Sequence, residues 1–515
     1  MRIVAVIFIF ALAFPVFAQE RETRAKKSEY LRMPINISIR KDYSLGHSIG
    51  RGRKIINHLS LNIISGRAAK LRGIEIGGAA NIYSEDIFGI QLAGLANVVE
   101  DWGIGIQAAG LANVVEGNFS GIQLSGLANV VQDDSRGIQL SGLANVIEGG
   151  FIGIQGSGLA NVVQDGSRGI QFSSLANVVE GDFIGIQGSG LANVVQNNSR
   201  GIQLSGLANV IEGGFIGIQG SGIANVVQNN SRGIQLSGLA NVIEGDFIGI
   251  QGSGIANVVQ DDSRGIQLSG LANVVEGDFA GIQGSGIANV VQNNYRGIQV
   301  SGLANVAENI RTGIQLSGIV NTTNKVEYGS QIAPINLSRE NEGIPVGLVS
   351  CVEGLKSHID VWGSETRFIN VGLRSGTEYI HNLVFLGAQV NDPFRWSIGW
   401  GIGGNKNLTE TAYLEIDASI QHINEDEFWT SKKNLLSKLR IIGNWQISDT
   451  MSIYAGPTLN YLVSEVNDGS DLASWSFSEK ESENSWKRLW PGIDIGVRFE
   501  GFDLYPFFSR QLIDW

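Results

Sequence analysis

Gly137-Ile138-Gln139-Leu140-Ser141-Gly142-Leu143-Ala144-Asn145-Val146-Ile147, followed by Glu148-Gly149-Gly150-Phe151-Ile152, is one copy of a unit that returns every 16 residues. Glycine holds its first position at 73, 89, 105 and onward to 329, and asparagine its ninth at 81, 97, 113 and onward to 321. The copy that begins at Gly329 is degraded, and Gly343-Ile344-Pro345-Val346-Gly347-Leu348 is an echo of it. A fixed period of this kind marks a repeat architecture and sets the terms for the rest of the chain.

Each unit holds about ten residues of strand with period-2 alternation. One face is Ile138, Leu140, Gly142, Ala144 and Val146, and the other is Gln139, Ser141, Leu143 and Asn145. Apolar-out, polar-in strands of this length suit the wall of an outer-membrane barrel. The unit is nearly palindromic in residue type about its central glycine. Folded antiparallel across Gln132–Arg136, it pairs Val130 with Ile138, Asn129 with Gln139 and Ala128 with Leu140, like on like.

A second period of 32 residues overlies the first. Turns alternate between Gln196-Asn197-Asn198-Ser199-Arg200 and Glu180-Gly181-Asp182-Phe183-Ile184, and the residue three after the repeat glycine runs Leu140, Gly156, Phe172, Gly188, Leu204, Gly220. The reading this favours is a hairpin unit in a large all-β, antiparallel up-and-down outer-membrane β-barrel. Arg136, Arg168, Arg200, Arg232, Arg264 and Arg296 then line one rim, and Phe151, Phe183, Phe215, Phe247 and Phe279 the other. The repeats supply about sixteen strands, the C-terminal region roughly eight more, and His58–Gly66 two. A barrel that wide needs an obstructed or partnered lumen, whether through the Ser464–Arg488 loop, a lumen or surface partner, or inward Leu127 and Leu143 packing across it. The alternative is a β-solenoid, one coil per repeat, followed by a smaller C-terminal β-barrel. Identical Gln, Asn and Gly at one phase would then form ladders.

The flanking sequence points to export. Met1-Arg2, the apolar Ile3–Phe14 and Val16-Phe17-Ala18 read as a signal peptide, residues 1–18, with no cysteine after the cleavage site to carry a lipid. Residues 19–57 read as an N-terminal arm, 58–348 as the repeat region and 349–515 as C-terminal antiparallel barrel strands. Thr366–Arg374, Leu383–Gln389, Trp396–Ile402, Ala412–Ile423, Leu435–Ile447, Met451–Val463 and Ile493–Phe499 each carry a strand signal. Trp362, Trp396, Trp400, Trp429, Trp445, Tyr454, Tyr461 and Trp490 sit near strand ends, as interfacial girdles do. The chain ends on Trp515, reminiscent of outer-membrane assembly signals.

Little chemistry is legible. The net charge of −12 argues against nucleic acid, and the single cysteine, Cys351, excludes an internal disulfide. His47, His58, His358, His381 and His422 lack metal-ligand spacing. Glu425-Asp426-Glu427 reads as an exposed turn, and Gly399–Lys406 as a strand running into a turn rather than a phosphate loop. Asp133-Asp134 and Asp261-Asp262 lack a calcium-repeat pattern. Arg21–Lys27 and Arg51-Gly52-Arg53-Lys54 read as a solvated arm. The expectation is a non-enzymatic structural β-repeat protein of the bacterial outer membrane or surface, pore-like or a scaffold, without catalytic residues, cofactor or metal; the alternative is a surface-exposed β-solenoid adhesin or binding protein. Its partners would be the outer-membrane bilayer and the outer-membrane assembly machinery.

The units Gly-Ile-Gln-x-Ser-Gly-Leu-Ala-Asn-Val resemble a family of bacterial surface-repeat proteins built on Gly-Φ-Gln-x-x-Gly-x-x-Asn. Ala412–Asp417 and Trp490–Val497 look like outer-membrane barrel strands. The resemblance implies the cell surface or outer membrane and transfers no functional residue. The repeat departs from its own pattern at Glu75 for Gln, at Ser174 for Gly and across Gly329–Leu337.

Overall fold

The computed structural model describes residues 30–50, 52–390, 393–482 and 485–512. The signal peptide, the basic run Arg21–Lys27, Arg51 and Trp515 lie outside the described residues. The chain falls into two compact units, one ending at Gly158 and one beginning at Leu159.

The first unit is a parallel β-solenoid. Each coil contributes a longer strand such as Ser135–Ser141 and a short one such as Ala144–Ile147. The strands stack on the equivalent strands of neighbouring coils, residue on residue: Asn113 on Asn129 on Asn145, and Gln107 on Gln123 on Gln139. This overturns the antiparallel meander. Val130 pairs with Val114 and Val146, not with Ile138. The unit opens earlier than expected, because Tyr30–Arg40 already pairs in parallel with Lys54–Asn62. The short helix Leu45–Gly50 packs beside that first strand, with the Gly46 amide donating to Asn36 Oδ1 at 2.8 Å.

The second unit begins with the same solenoid. Its interior carries amide ladders beside buried rows such as Val195, Ile211 and Val227: Asn209 Nδ2 donates to Asn225 Oδ1, and Asn225 Nδ2 to Asn241 Oδ1, each at 2.9 Å. Each asparagine also reaches a backbone carbonyl, as Asn209 does Gly220 O at 2.9 Å. Glutamines form a second ladder donating the opposite way, Gln219 to Gln203 and Gln235 to Gln219. These amides have no water to fall back on, so a complete ladder is the condition for burying them.

Two glycines per coil allow this close stacking. Gly217 has φ +147°, and a Cβ there would stand 1.9 Å from Gly201 O. At the corner, a Cβ on Gly206 would stand 2.0 Å from Gly190 O. The corner also breaks the expected face assignment. The Gly-Leu pair turns the chain between the two sheets, so the leucines expected inward do not pack across a lumen: Leu127 is exposed at 37% and Leu143 is half-buried at the corner, like Leu207 and Leu239 at 43% and 44%.

The 32-residue period has a packing cause. Inside, Phe183, Phe215 and Phe247 alternate with Ser199, Ser231 and Ser263, all buried. Strands about 4.8 Å apart set each of these phenyl rings between small serines, and only at the end of the series does a ring meet a ring, Phe279 stacking on Tyr295. Outside, Leu204 leans over Gly220, its Cδ2 3.0 Å from where a Cβ would sit, and Phe172 covers Gly188 in the same way. Arginine alternates with isoleucine in register, Arg200 beside Ile216 beside Arg232, so these arginines do not stack on one another. The arginine and phenylalanine series therefore do not mark opposite rims. In register Phe215 lies between Ser199 and Ser231, one residue before the Ile216 row. Both series share one edge, arginine outward and phenylalanine inward.

The irregular end still stacks. Gly329–Ile332 pairs with Gly313–Leu316, and Ile344–Val346 with Ser330–Ile332, so the echo is a real coil. The strands Ser357–Ser364, Ile369–Gly376, Ile380–Gln389, Arg395–Asn407, Ala412–Glu425, Asn434–Ser448, Met451–Ser464 and Ser485–Phe502 then pair antiparallel in succession. The last returns to the first, Asp360 opposite Arg498, and closes an eight-stranded barrel. The antiparallel barrel is thus confined to the C-terminal strands, in place of the expected wall of some two dozen. The first wall strand and the short Ser478–Ser482, which pairs with the last, gave no sequence signal.

Candidate functional site: a charge-filled barrel and an uncharged solenoid face

Alternation along the wall strands sends charge inward. Asp360, Arg374, Glu415, Asp417, Arg440, Asp494 and Arg498 are each at most 3% exposed. Arg498 holds Asp360 at 2.7 and 2.9 Å and Glu415 at 2.7 and 3.0 Å. Arg374 bridges Asp360, Glu415 and Asp417 at 3.1–3.3 Å. Arg440 Nη2 meets Asp417 at 2.6 Å, and Lys438 Nζ meets Asp494 at 2.8 Å. Four acids face four bases, so the network balances, and His381 Nε2 lies 2.8 Å from Asp417 Oδ1. Buried charge at this density is tolerated only when paired. It fills the barrel interior, and each of its four acids is held by at least one of the four bases.

The outward residues are the reverse. Ile416, Leu439, Ile441, Ile453, Ile493 and Ile495 are 43–59% exposed. The expected Ser464–Arg488 loop does fold inward at one end: Asp471 reaches Arg395 at 3.2 Å, and Leu472 joins Phe368, Ile423, Leu436, Leu462 and Trp490 in a buried cluster.

The other sequence candidates disperse. His422 stacks on Trp429 and lies 2.9 Å from Thr430 O, and His58 Nδ1 lies 3.4 Å from Met33 O. Glu425 pairs with Arg395 at 3.1 Å, and Asp426 forms a turn at φ +52°. Gly399–Lys406 lies within a wall strand. Asp134 Oδ1 accepts the Gly150 amide at 2.8 Å, and Asp262 Oδ1 the Asp278 amide at 2.8 Å; these acids stitch turns together. Among the described residues no group of three His, Cys, Asp or Glu could hold a metal.

Glu75, the one acid in the glutamine ladder, accepts from Asn62 at 2.7 Å and from Gln91 at 3.3 Å. Burial pushes its pKa up to about 7. A folded-state pKa above the unfolded value means that the native chain holds a proton the unfolded chain has lost. Stability therefore falls as pH rises from about 4.5 to about 7 and then levels off. Glu75→Gln, which restores the ladder, is expected to abolish that fall and gain up to roughly 3 kcal/mol at pH 8. Thermal unfolding of both forms at pH 5 and pH 8 checks this; an unchanged pH slope in the variant counts against it.

Fold and site together define a class: a parallel β-solenoid with an amide-laddered interior, ending in a small charge-filled antiparallel barrel. Comparison with protein-family models, curated proteins and solved structures finds no match, so no family is shown, including the surface-repeat family its units resemble.

Proposed function

We propose that this is a non-enzymatic outer-membrane protein in which the eight-stranded barrel is the membrane anchor and the solenoid is a structural or adhesin-like scaffold at the cell surface. The observation that carries the reading is the barrel's inverted polarity, with paired charge inside and isoleucine and leucine outside. A small barrel in water has the opposite need, while a barrel in lipid must face its apolar residues outward and satisfy every backbone group in a closed sheet. Wall strands of eight to eighteen residues bracket the 9–11 that a tilted crossing requires. The filled interior favours an anchor over a pore. Among the described residues no helix is long and apolar enough to cross a membrane. Delivery would fall to the outer-membrane assembly machinery.

The chain expressed in a diderm bacterium is expected in the outer-membrane fraction, resistant to urea extraction, with unheated protein migrating differently from heated protein in detergent gels. Recovery as a soluble periplasmic protein contradicts the anchor.

A further inference from the structure

The solenoid of the second unit segregates its charge. In every copy from Gly169 to Ala307, the eleven residues from the repeat glycine onward contain no charged side chain. Charge is confined to the five turn residues, such as Arg200, Glu212, Arg232 and Asp246. The outward positions of the longer sheet are Ile218 at 42%, Leu204 at 51% and Leu236 at 51% exposed, and the corner carries Leu207 and Leu239. The short sheet turns half-buried alanine and valine outward. Eight 16-residue steps at about 4.8 Å make this surface roughly 40 Å long, far beyond the apolar patches of ordinary soluble proteins.

We propose that these uncharged faces are embedded in lipid, so that the solenoid lies in one leaflet with its charged turn edge at the water. The inference rests on the barrel being the membrane anchor. Three observations choose lipid over a second copy of the chain. First, the outward carbon is aliphatic and its backbone hydrogen bonds are made between coils, while the buried Asn and Gln amides close their own ladders beside the interior Phe, Val and Ile rows, so neither the backbone nor the amides of these faces need water. Second, the face lacks what protein interfaces use. It offers isoleucine, leucine, valine, alanine and glycine, with Phe172 as its one outward aromatic, and its knobs already fill its own holes, Leu204 over Gly220 and Leu236 over Gly252.

Third, the solenoid ends on the barrel's side rather than its mouth. Asn382, Ser375 and Trp400 alternate with lumen-facing residues and so lie on the outer wall. Asn382 Nδ2 donates to Pro345 O at 2.8 Å, the Ser350 amide to Ser375 Oγ at 2.9 Å, and Trp400 Nε1 to Gly347 O at 2.6 Å. The last coil therefore sits against the wall that the anchor reading places in lipid, and the two apolar surfaces adjoin. Depth agrees. Gly201 to Ser205, the strand up to the corner, spans roughly 13 Å of extended chain, within one leaflet's half of a ~30 Å core. Charge on a single edge fits insertion from one side.

The test uses the full chain with Cys351→Ser, reconstituted in phosphatidylcholine vesicles, with one fluorophore-labelled cysteine at a time. Labels at Leu204→Cys and Leu239→Cys are expected to be quenched at least twofold by doxyl-chain lipid and protected from aqueous iodide, and the label at Arg232→Cys the reverse. Iodide quenching at 204 and 239 overturns the proposal. So does protection from both quenchers together with 204–204 cross-linking between chains, which would mean that a second copy covers the face. A label at Ile495→Cys on the barrel wall separates the readings: if it meets lipid while 204 and 239 meet iodide, only the embedded solenoid fails. If it too meets iodide, the anchor fails with it.

Discussion

Gly217→Ala is expected to prevent the coil around it from closing, with a loss of more than about 3 kcal/mol in unfolding free energy or no folded protein at all. The added methyl would stand 1.9 Å from Gly201 O and 2.8 Å from its carbonyl carbon, at φ +147°. Relief by a backbone shift is blocked, because Gly217 pairs on one side with Gly201 and on the other with Gly233. A clash with backbone at a strained φ is among the few mechanisms that give losses of this size. Gly220→Ala, three residues along the same strand, is the control. Its methyl meets only Leu204 Cδ2 at 3.0 Å, the far end of a flexible side chain, and the expected cost is below about 1 kcal/mol. Circular-dichroism melting of the two variants separates them; equal losses would mean that the coils are not stacked in this register.

Arg498→Met carries the second large effect, in the barrel. Arg498 makes two contacts each to Asp360 and Glu415, and its removal leaves both carboxylates depending on Arg374 alone among the arginines. Breaking a buried pair from one side costs about 3–5 kcal/mol, because the remaining charge stays desolvated. The variant is expected to lose its folded gel mobility at a lower temperature than the parent. Adding Glu415→Gln removes one orphaned charge, so the double variant should recover part of the loss. A single variant as heat-resistant as the parent would mean that the network does not hold the barrel.

Much of this was written in the sequence. The 16- and 32-residue periods, the Gly, Gln and Asn phases and seven of the eight wall strands are visible without coordinates. Direction was not. A palindromic unit pairs like with like whether neighbours run parallel or antiparallel, so Asn129 could be matched to Gln139 or to Asn145 with equal chemical sense. The signal that separates them is identity of residue rather than of type. Stacking places Gly217 over Gly201 and Asn225 over Asn209, which demands the same residue at the same phase, whereas a barrel wall asks only for alternation. The Leu204–Gly220 alternation carries the same message, a knob facing the hole of the next coil. The corner at Gly206-Leu207 was hidden because a glycine within an alternating run looks like strand. The first wall strand, Ser357–Ser364, was missed because Asp360 faces the lumen, where its value depends on Arg374 and Arg498, far away in sequence.

Whether the barrel wall faces lipid is measured directly by nitroxide accessibility along its last strand. In vesicles, spin labels at Ile493, Ile495 and Val497 are expected to collide readily with oxygen and hardly at all with a water-soluble nickel chelate, while labels at the turn residues Asp449 and Thr450 show the opposite. Ready collision of the 493, 495 and 497 labels with nickel would place the wall in water and contradict the account.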